Sequence, residues 1–418
     1  MQPVSKSALD DSRASFLIKS LLLGNIDSDS VKQFYYTVKM PSSTPRPRHD
    51  KVMADFRQAG ISSINAKGID RVSVSLICEI AKSTRPTFYS YFGNVDGLLA
   101  DIWVSECQYF FKRLADPSYN LLASKLAAND RALVEIMAIS HRNPEVAEVV
   151  NRTTQEWWQD LAGNDEFKNL KFGWVIGARL GLLMMIVVDP TVKTMVIADQ
   201  LLSSIDKLAT IKNKVTTDLL PQISDPEAKL ETVDQMLLAA TVNVVANSGI
   251  SAASMARISR FAQVTTGSVY PRYPNISALI LESFEFAAKH VVNQNLANTR
   301  DGSFGPDEFG LFVIAGLLPR RKQWRNYRLE AHIEGRVNKP LAKRIQLSNK
   351  EVNDQVSQAL RKYNIPEPML IAATHLIHSI GIGFSLLFNA GIALNELDHR
   401  RITRQIVAIF EKAAQKAG

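Results

Sequence analysis

One stretch of this 418-residue chain occurs twice. Gly68 to Leu99, moved along by 181 positions, falls on Gly249 to Ile280 without a gap. Nine of the 32 paired positions are identical: Gly68/Gly249, Ile69/Ile250, Ser73/Ser254, Ile77/Ile258, Ala81/Ala262, Thr84/Thr265, Tyr89/Tyr270, Asn94/Asn275 and Leu98/Leu279. Further pairs keep their chemistry, among them Val74/Met255, Thr87/Ser268, Phe88/Val269 and Phe92/Tyr273. A gap-free self-match of this length is the mark of a duplicated structural unit. Whatever fold the chain adopts must accommodate that unit twice.

The repeated unit reads as short helices joined by a tight turn. Ser73 can cap a helix whose apolar stripe is Val74, Ile77, Cys78 and Ala81, at three- and four-residue spacing. Lys82 and Ser83 make the turn, and Thr84 caps a second helix from Arg85 to about Tyr91. Pro86 falls in the first turn of that helix, where its missing N–H costs nothing. Phe88 points inward, leaving Arg85, Thr87 and Tyr89 facing out. Asn94 caps a longer helix, and an upstream helix carrying Val52, Phe56, Ala59, Ile61 and Ile64 stops at Gly68. The short helix, turn and second short helix form a helix-turn-helix arrangement.

The runs KGIDRVSVSLICEIAKSTRPTFYSYFGNVDGLL and SGISAASMARISRFAQVTTGSVYPRYPNISALI resemble the DNA-binding segment of the TetR family of ligand-controlled regulators. The pattern carried is Gly-hydrophobic, then Ser-Val or Ser-Met, an Ile-Ala-like core and a Thr…Tyr reading helix. The chain departs from it in three places. The family's lysine at the start of the fourth helix is Val95 in one copy and Ile276 in the other. The usual turn Ala-Gly is Ala81-Lys82 and Ala262-Gln263. In the second copy Pro271 follows Tyr270, so that reading helix should end there.

The resemblance implies an all-α protein of two TetR-like modules, each a helix-turn-helix domain followed by a helical regulatory domain for ligand binding and dimerisation. The boundaries read as an N-terminal helical extension and linker over 1–45, a first DNA-binding domain over 46–100 and a first regulatory domain over 101–217. A linker over 218–226, a second DNA-binding domain over 227–282 and a second regulatory domain over 283–418 complete the chain. In the family the last two helices of each regulatory unit form a four-helix dimer interface. The matching stretches are 167–188 with 192–208 and 369–389 with 402–414. Both pairs lie in one chain, so an intramolecular pseudo-dimer is expected, with a dimer of whole chains left open. Unlike a symmetric dimer, such a chain need not read a palindrome.

Double-stranded DNA is thus the expected partner. Arg85 is the candidate for base readout, because its guanidinium fork matches guanine O6 and N7. Thr84 and Thr87 can reach bases, while Ser73 and Tyr89 are expected on phosphates. The corresponding residues in the second copy are Thr265, Thr266, Ser268, Ser254 and Tyr270, with Arg272 an added cation. The segment PSSTPRPRH (41–49) reads as an extended linker whose Arg46 and Arg48 form a basic arm or simply stay solvated. An apolar or anionic small-molecule effector is expected, with Trp157, Trp174, Trp324, Tyr327, His375 and His378 as candidate lining, although core is the simpler reading for any one of them.

Composition agrees with this and bounds the rest. A net charge of +8 suits a nucleic-acid partner, with 46% hydrophobic and 22% charged residues fitting a globular protein. The densest basic run, Arg320 to Arg344, has nine Lys/Arg against Glu330 and Glu334 and lies outside both helix-turn-helix units. It reads as a solvated face, as a site for an anionic ligand such as a nucleotide-carrying thioester, or as a non-specific phosphate contact. The two cysteines, Cys78 and Cys107, sit at apolar helix positions and fit a reducing cytoplasm rather than a disulfide scaffold. The apolar stretch 172–188 is short for a bilayer and carries Arg179, while Gly173, Gly177 and Gly181 suit close helix packing. No membrane role is expected. No glycine-rich phosphate loop, metal-spaced cluster or nucleophile–base motif is visible, so neither an enzyme nor a cofactor is expected. The alternative reading is a TetR-like protein that has lost DNA binding in one or both modules and acts through small-molecule or protein partners.

Overall fold

The computed structural model describes residues 47–116, 118–119, 121, 127–189, 230–296, 305–361 and 367–417. The chain divides into two compact units, 1–55 and 56–418. Among the described residues every regular element is helical. The expected helices at 14–23, 31–40 and 192–208, the linker at 218–226, and Arg46 lie outside the described residues.

The first helix, α1 (Pro47–Lys67), begins in the first unit and continues into the second. Arg48 is therefore helical and not part of an extended arm, because Pro47 is well suited to open a helix. The helix ends at Gly68, whose φ of 80° suits a residue without a Cβ. A 3-10 turn (Ile69–Arg71) leads to α2 (Val74–Ile80), α3 (Arg85–Phe92) and α4 (Val95–Ala115). Phe56 and Phe88, both wholly buried, meet edge to face at 5.6 Å, with Phe92 completing the cluster. Then come α5 (Ala127–Ile139), α6 (Pro144–Ala162) and α7 (Glu166–Met185).

After the undescribed residues 190–229 a second helix-turn-helix follows. It runs α8 (Val233–Ser248), α9 (Met255–Phe261), α10 (Thr266–Val269) and α11 (Ile276–Leu296). These are followed by α12 (Pro306–Leu317), α13 (Lys322–Gly335), α14 (Lys339–Leu360), α15 (Glu367–Asn389) and α16 (Arg400–Ala417). The helices start where their sequences supply caps. Asn94, Asn143, Asp165 and Asn338 each accept a hydrogen bond from a first-turn amide, and Thr232 with Gln235 forms a reciprocal capping box.

The most extensive helix–helix packing joins α7 to α15. Its cause is glycine. A Cβ on Gly383 would lie 1.6 Å from the Gly177 carbonyl oxygen, and one on Gly181 would lie 1.8 Å from that of Ser379. The two backbones therefore touch directly, and Gly173, one turn further along, receives the Leu394 side chain. Trp174 packs at right angles on Phe384, 5.9 Å between ring centres, and its Nε1 donates to His399 Nδ1 at 3.1 Å. His399 Nε2 in turn donates to the Leu394 carbonyl. Burial pulls this histidine down to about 4, which keeps its Nδ1 free to accept.

Arg179, the charge in the apolar stretch of α7, is wholly buried. Its Nη1 donates to the carbonyls of Leu114 and Asp116 at 2.8 and 2.7 Å, satisfying the C-terminal end of α4. Within α15, residues Leu370–Asn389 are long and apolar enough to cross a membrane, and 78% of the most apolar window is buried inside the protein.

The backbone contact between α7 and α15 leaves no room for a methyl group. Gly383→Ala should lower stability by about 2 kcal/mol or more, read as a shift in the denaturant midpoint. An unchanged midpoint would show that the two helices part at little cost.

Candidate nucleic-acid interface and effector cavity

The tight turn of each helix-turn-helix is a Schellman cap. The Ser83 amide donates to the Cys78 carbonyl and the Lys82 amide to that of Glu79, at 2.9 and 3.3 Å. Val264 and Gln263 repeat the pair onto Ser259 and Arg260, at 3.0 and 3.2 Å. This cap requires a left-handed residue, and Lys82 and Gln263 supply it with φ of 50° and 57°, where glycine would sit without strain. The departure from Ala-Gly thus keeps the turn's shape.

In the first copy Ser73 accepts from the Leu76 amide and Thr84 from the Thr87 amide, each at 3.3 Å. The Thr84 and Thr87 hydroxyls also bond each other at 2.8 Å, so both face the same first turn. Tyr89 is 52% exposed beside buried Phe88. Arg85 is exposed, and its Nη2 donates to Ser75 Oγ at 2.7 Å. Ser75 holds the arginine across the face of the motif; the signal in the sequence was its position two residues after the Ser73 cap, on the outward side of α2.

The second copy places its residues similarly but holds them differently. Ser254 caps α9 through the Arg257 amide at 3.2 Å, and Thr265 bonds Ser268 between hydroxyls at 2.9 Å. Thr266 is exposed, and Tyr270 is 57% exposed beside buried Val269. The counterparts of Arg85 and Ser75 are Thr266 and Ala256, so that arginine–serine pair is absent as a unit. The reading helix α10 spans only four residues, ending before Pro271. Arg272 is committed to the protein: it donates to the Ser268 carbonyl at 2.7 Å and lies 3.2 Å from Asp234. Arg257 and Arg260, exposed on α9, are further cations at this surface, at positions occupied by Leu76 and Glu79 in the first copy.

Behind the first motif lies a chain of ion pairs, most of them buried, that joins residues 69–71, 135 and 142 to residues 330–336. Glu135 on α5 accepts from the Ile69 amide at 3.0 Å and pairs with Arg336. Arg142 links Asp70 at 2.5 Å to Glu330 on α13 at 2.6 Å, with His141 adding a third contact to Glu330 at 2.9 Å. Arg71 pairs with Glu334 at 2.9 Å. The Arg142 guanidinium also closes on the second motif, 2.9 Å from where a Cβ on Gly249 would lie. Thus α13 grips the 3-10 turn that feeds the first reading unit.

The same helix lines a cavity of about 510 Å³ bounded by α11 to α15. Trp324 and His378, two of the residues considered as effector lining, are in its wall. The other candidates lie elsewhere. Tyr327 is wholly buried core, bonded to Ser283 and to the Ile280 carbonyl at 2.6 and 3.0 Å. Trp174 borders only a void of about 40 Å³. His375 edges a separate polar recess with Lys350, Asp354 and Arg361. Trp157 is half-buried on α6 under the Lys112 ammonium, 5.5 Å from its ring centre. The cavity's cations, Arg321, Arg325 and Arg328, come from the basic run that the sequence singled out.

Replacing either left-handed turn residue with glycine should relieve local strain. Lys82→Gly and Gln263→Gly are each expected to raise stability by about 1 kcal/mol, measured by urea unfolding. A loss instead would mean that the side chain compensates for its backbone locally.

In comparison with known proteins, residues 57–102 match the family described as bacterial regulatory proteins, tetR family. No curated protein matches the chain. The matched segment runs from α1 to the first part of α4 and contains the whole of α2, the Schellman turn and α3. That match supports a DNA-binding, helix-turn-helix transcriptional regulator of the TetR kind.

Proposed function

We propose that the protein is an effector-responsive transcriptional regulator, acting as a repressor, in which two TetR-like halves of one chain form a pseudo-dimer. The observation that carries the tandem reading is the repeat itself. Its two copies share the same capped helix, the same left-handed turn at Lys82 and Gln263, and the same buried and exposed pair at Phe88-Tyr89 and Val269-Tyr270. The glycine-mediated packing of α7 on α15 supports an interface between halves of the kind that joins subunits in a dimer.

On this reading each reading helix enters a major groove, and the two half-sites differ because Arg85 and Thr266 differ. Ligand control would run through α13. That helix carries cavity residues Trp324, Arg325 and Arg328 near its start and Glu330 and Glu334 near its end. A ligand that shifts α13 would move the grip on Asp70 and Arg71, and with it the first reading unit. The shift counts as allostery only if the ligand prefers the shifted state.

One observation favours a second reading. The four-residue α10 and the engagement of Arg272 with Asp234 weaken the second copy as a reader. A chain with one or no active reader would act through its other partners.

Footprinting of the full chain on the DNA upstream of its own gene, at several salt concentrations, tests these readings. Two unlike protected half-sites about one helical turn apart, weakening steeply with salt, are expected. A single protected half-site would leave only the first copy reading, and no protection at low salt would overturn the repressor reading. Arg85→Ala should cost about 1–3 kcal/mol at one base pair; equal weakening on all sequences would make Arg85 a phosphate contact. Glu334→Gln, which breaks the link between α13 and Arg71, should leave footprinting intact while blunting its response to ligand.

A further inference from the structure

The cavity holds an imbalance of charge. Arg321, Arg325 and Arg328 follow one another at four- and three-residue spacing, which puts all three on one wall. No aspartate or glutamate is among the described residues lining the cavity. Arg325 is 2% exposed, and its Nη1 donates to the carbonyls of Gly316 and Leu318 at 3.0 and 2.7 Å. Its Nε and Nη2 have no acceptor. Arg328 donates through Nη2 to the Gly381 carbonyl and Ser385, and its Nε has none. Across the cavity His378 Nε2 is likewise without a partner.

Burial pulls both arginines down to about 10, and each suffers further from an arginine neighbour, Arg321 for Arg325 and Arg325 for Arg328. Buried cations ordinarily come with a counter-charge. The remaining wall is apolar, built from residues such as Phe284, Val291, Phe312, Val356 and Phe384. Its volume is that of a small-molecule site.

We propose that this cavity binds an amphipathic organic anion, whose carboxylate or other anionic head lies between Arg325 and Arg328 and whose apolar body fills the space among the phenylalanines. The head supplies the acceptors that the guanidinium forks lack, and the forks suit a planar carboxylate or a phosphate oxygen pair. This names the class of effector for the regulator proposed above, and rests on that reading only for its consequence at DNA.

The test is binding by the full chain, without DNA, of decanoate, decyl phosphate, 1-decanol and decylamine, followed by calorimetry and by tryptophan fluorescence, to which Trp324 in the cavity wall contributes. Either anion should bind at least about tenfold more tightly than decanol, the scale of one charge-assisted hydrogen bond, with decylamine weakest. The better of the two anions identifies the natural head group as carboxylate or phosphate. Arg328→Met should abolish the preference over decanol while the unliganded chain still folds, because it removes a buried cation together with the hydrogen bonds that cation makes to Gly381 and Ser385. Gly316→Leu tests the site separately: a Cβ there meets nothing within 4 Å, so the side chain should fill the cavity, spare the fold and eliminate binding of every probe. Decanol binding as tightly as decanoate, no probe binding the folded chain, or undiminished decanoate binding by Gly316→Leu would each overturn the proposal. Anion binding that leaves the footprint unchanged would uphold the site and sink the effector reading instead.

Discussion

The most extensive packing among the described helices is organised around a place where two helical backbones touch. Gly177 on α7 meets Gly383 on α15, and Gly181 meets Ser379, with no side chain interposed. Such an approach is possible only where Cβ atoms are missing, and it fixes both the crossing and the register of the pair. Trp174, Phe384 and His399 then pack in the one arrangement that the crossing permits. Because α7 also carries Arg179, which closes the end of α4, the crossing is connected in turn to the first helix-turn-helix unit.

Between that frame and the first helix-turn-helix, buried charge runs beside the apolar packing. Asp70, Arg142 and Glu330 form a buried relay, and Arg71 with Glu334 a more exposed one beside it. Breaking a buried pair leaves a desolvated charge behind, so the relay is stiff where it is complete and sensitive where one partner moves. Helix α13 stands at the junction of the two regimes. One of its ends lines an apolar space with unsatisfied cations, and the other holds carboxylates against the turn before α2.

Much of this was legible in the sequence, for definable reasons. The duplicated unit, its caps at Ser73, Thr84 and Asn94, and the stop at Gly68 are local, and local hydrogen bonding follows residue type closely. The spacing of Gly173, Gly177 and Gly181 announced a close helix contact, although not its partner. Lys82 and Gln263 looked like losses of a glycine, whereas the Schellman hydrogen bonds keep the left-handed turn regardless of residue. The relay from Asp70 to Glu330 pairs residues far apart in the chain, and no periodicity reports such a pairing. Tyr327 and Trp324 illustrate the same limit: three positions apart on one helix, one is core and the other cavity wall. The basic run from Arg320 to Arg344 was visible as composition, but only the burial of Arg325 separates a cavity-lining cation from a solvated one.

The contact of α7 with α15 lies within a single polypeptide, and this bears on how the regulator would respond to its own abundance. Two separate subunits must first find each other, so their occupancy of an operator rises with the square of concentration when the protein is scarce. Halves that are covalently joined meet at a high effective concentration set by the connecting chain. On the proposed reading, occupancy would then rise in simple proportion to the number of chains present. Such a regulator would hold its operator at copy numbers where a dissociating dimer would fall away, and would gain no steepness from assembly. Any sharpness in its response would have to come from the ligand.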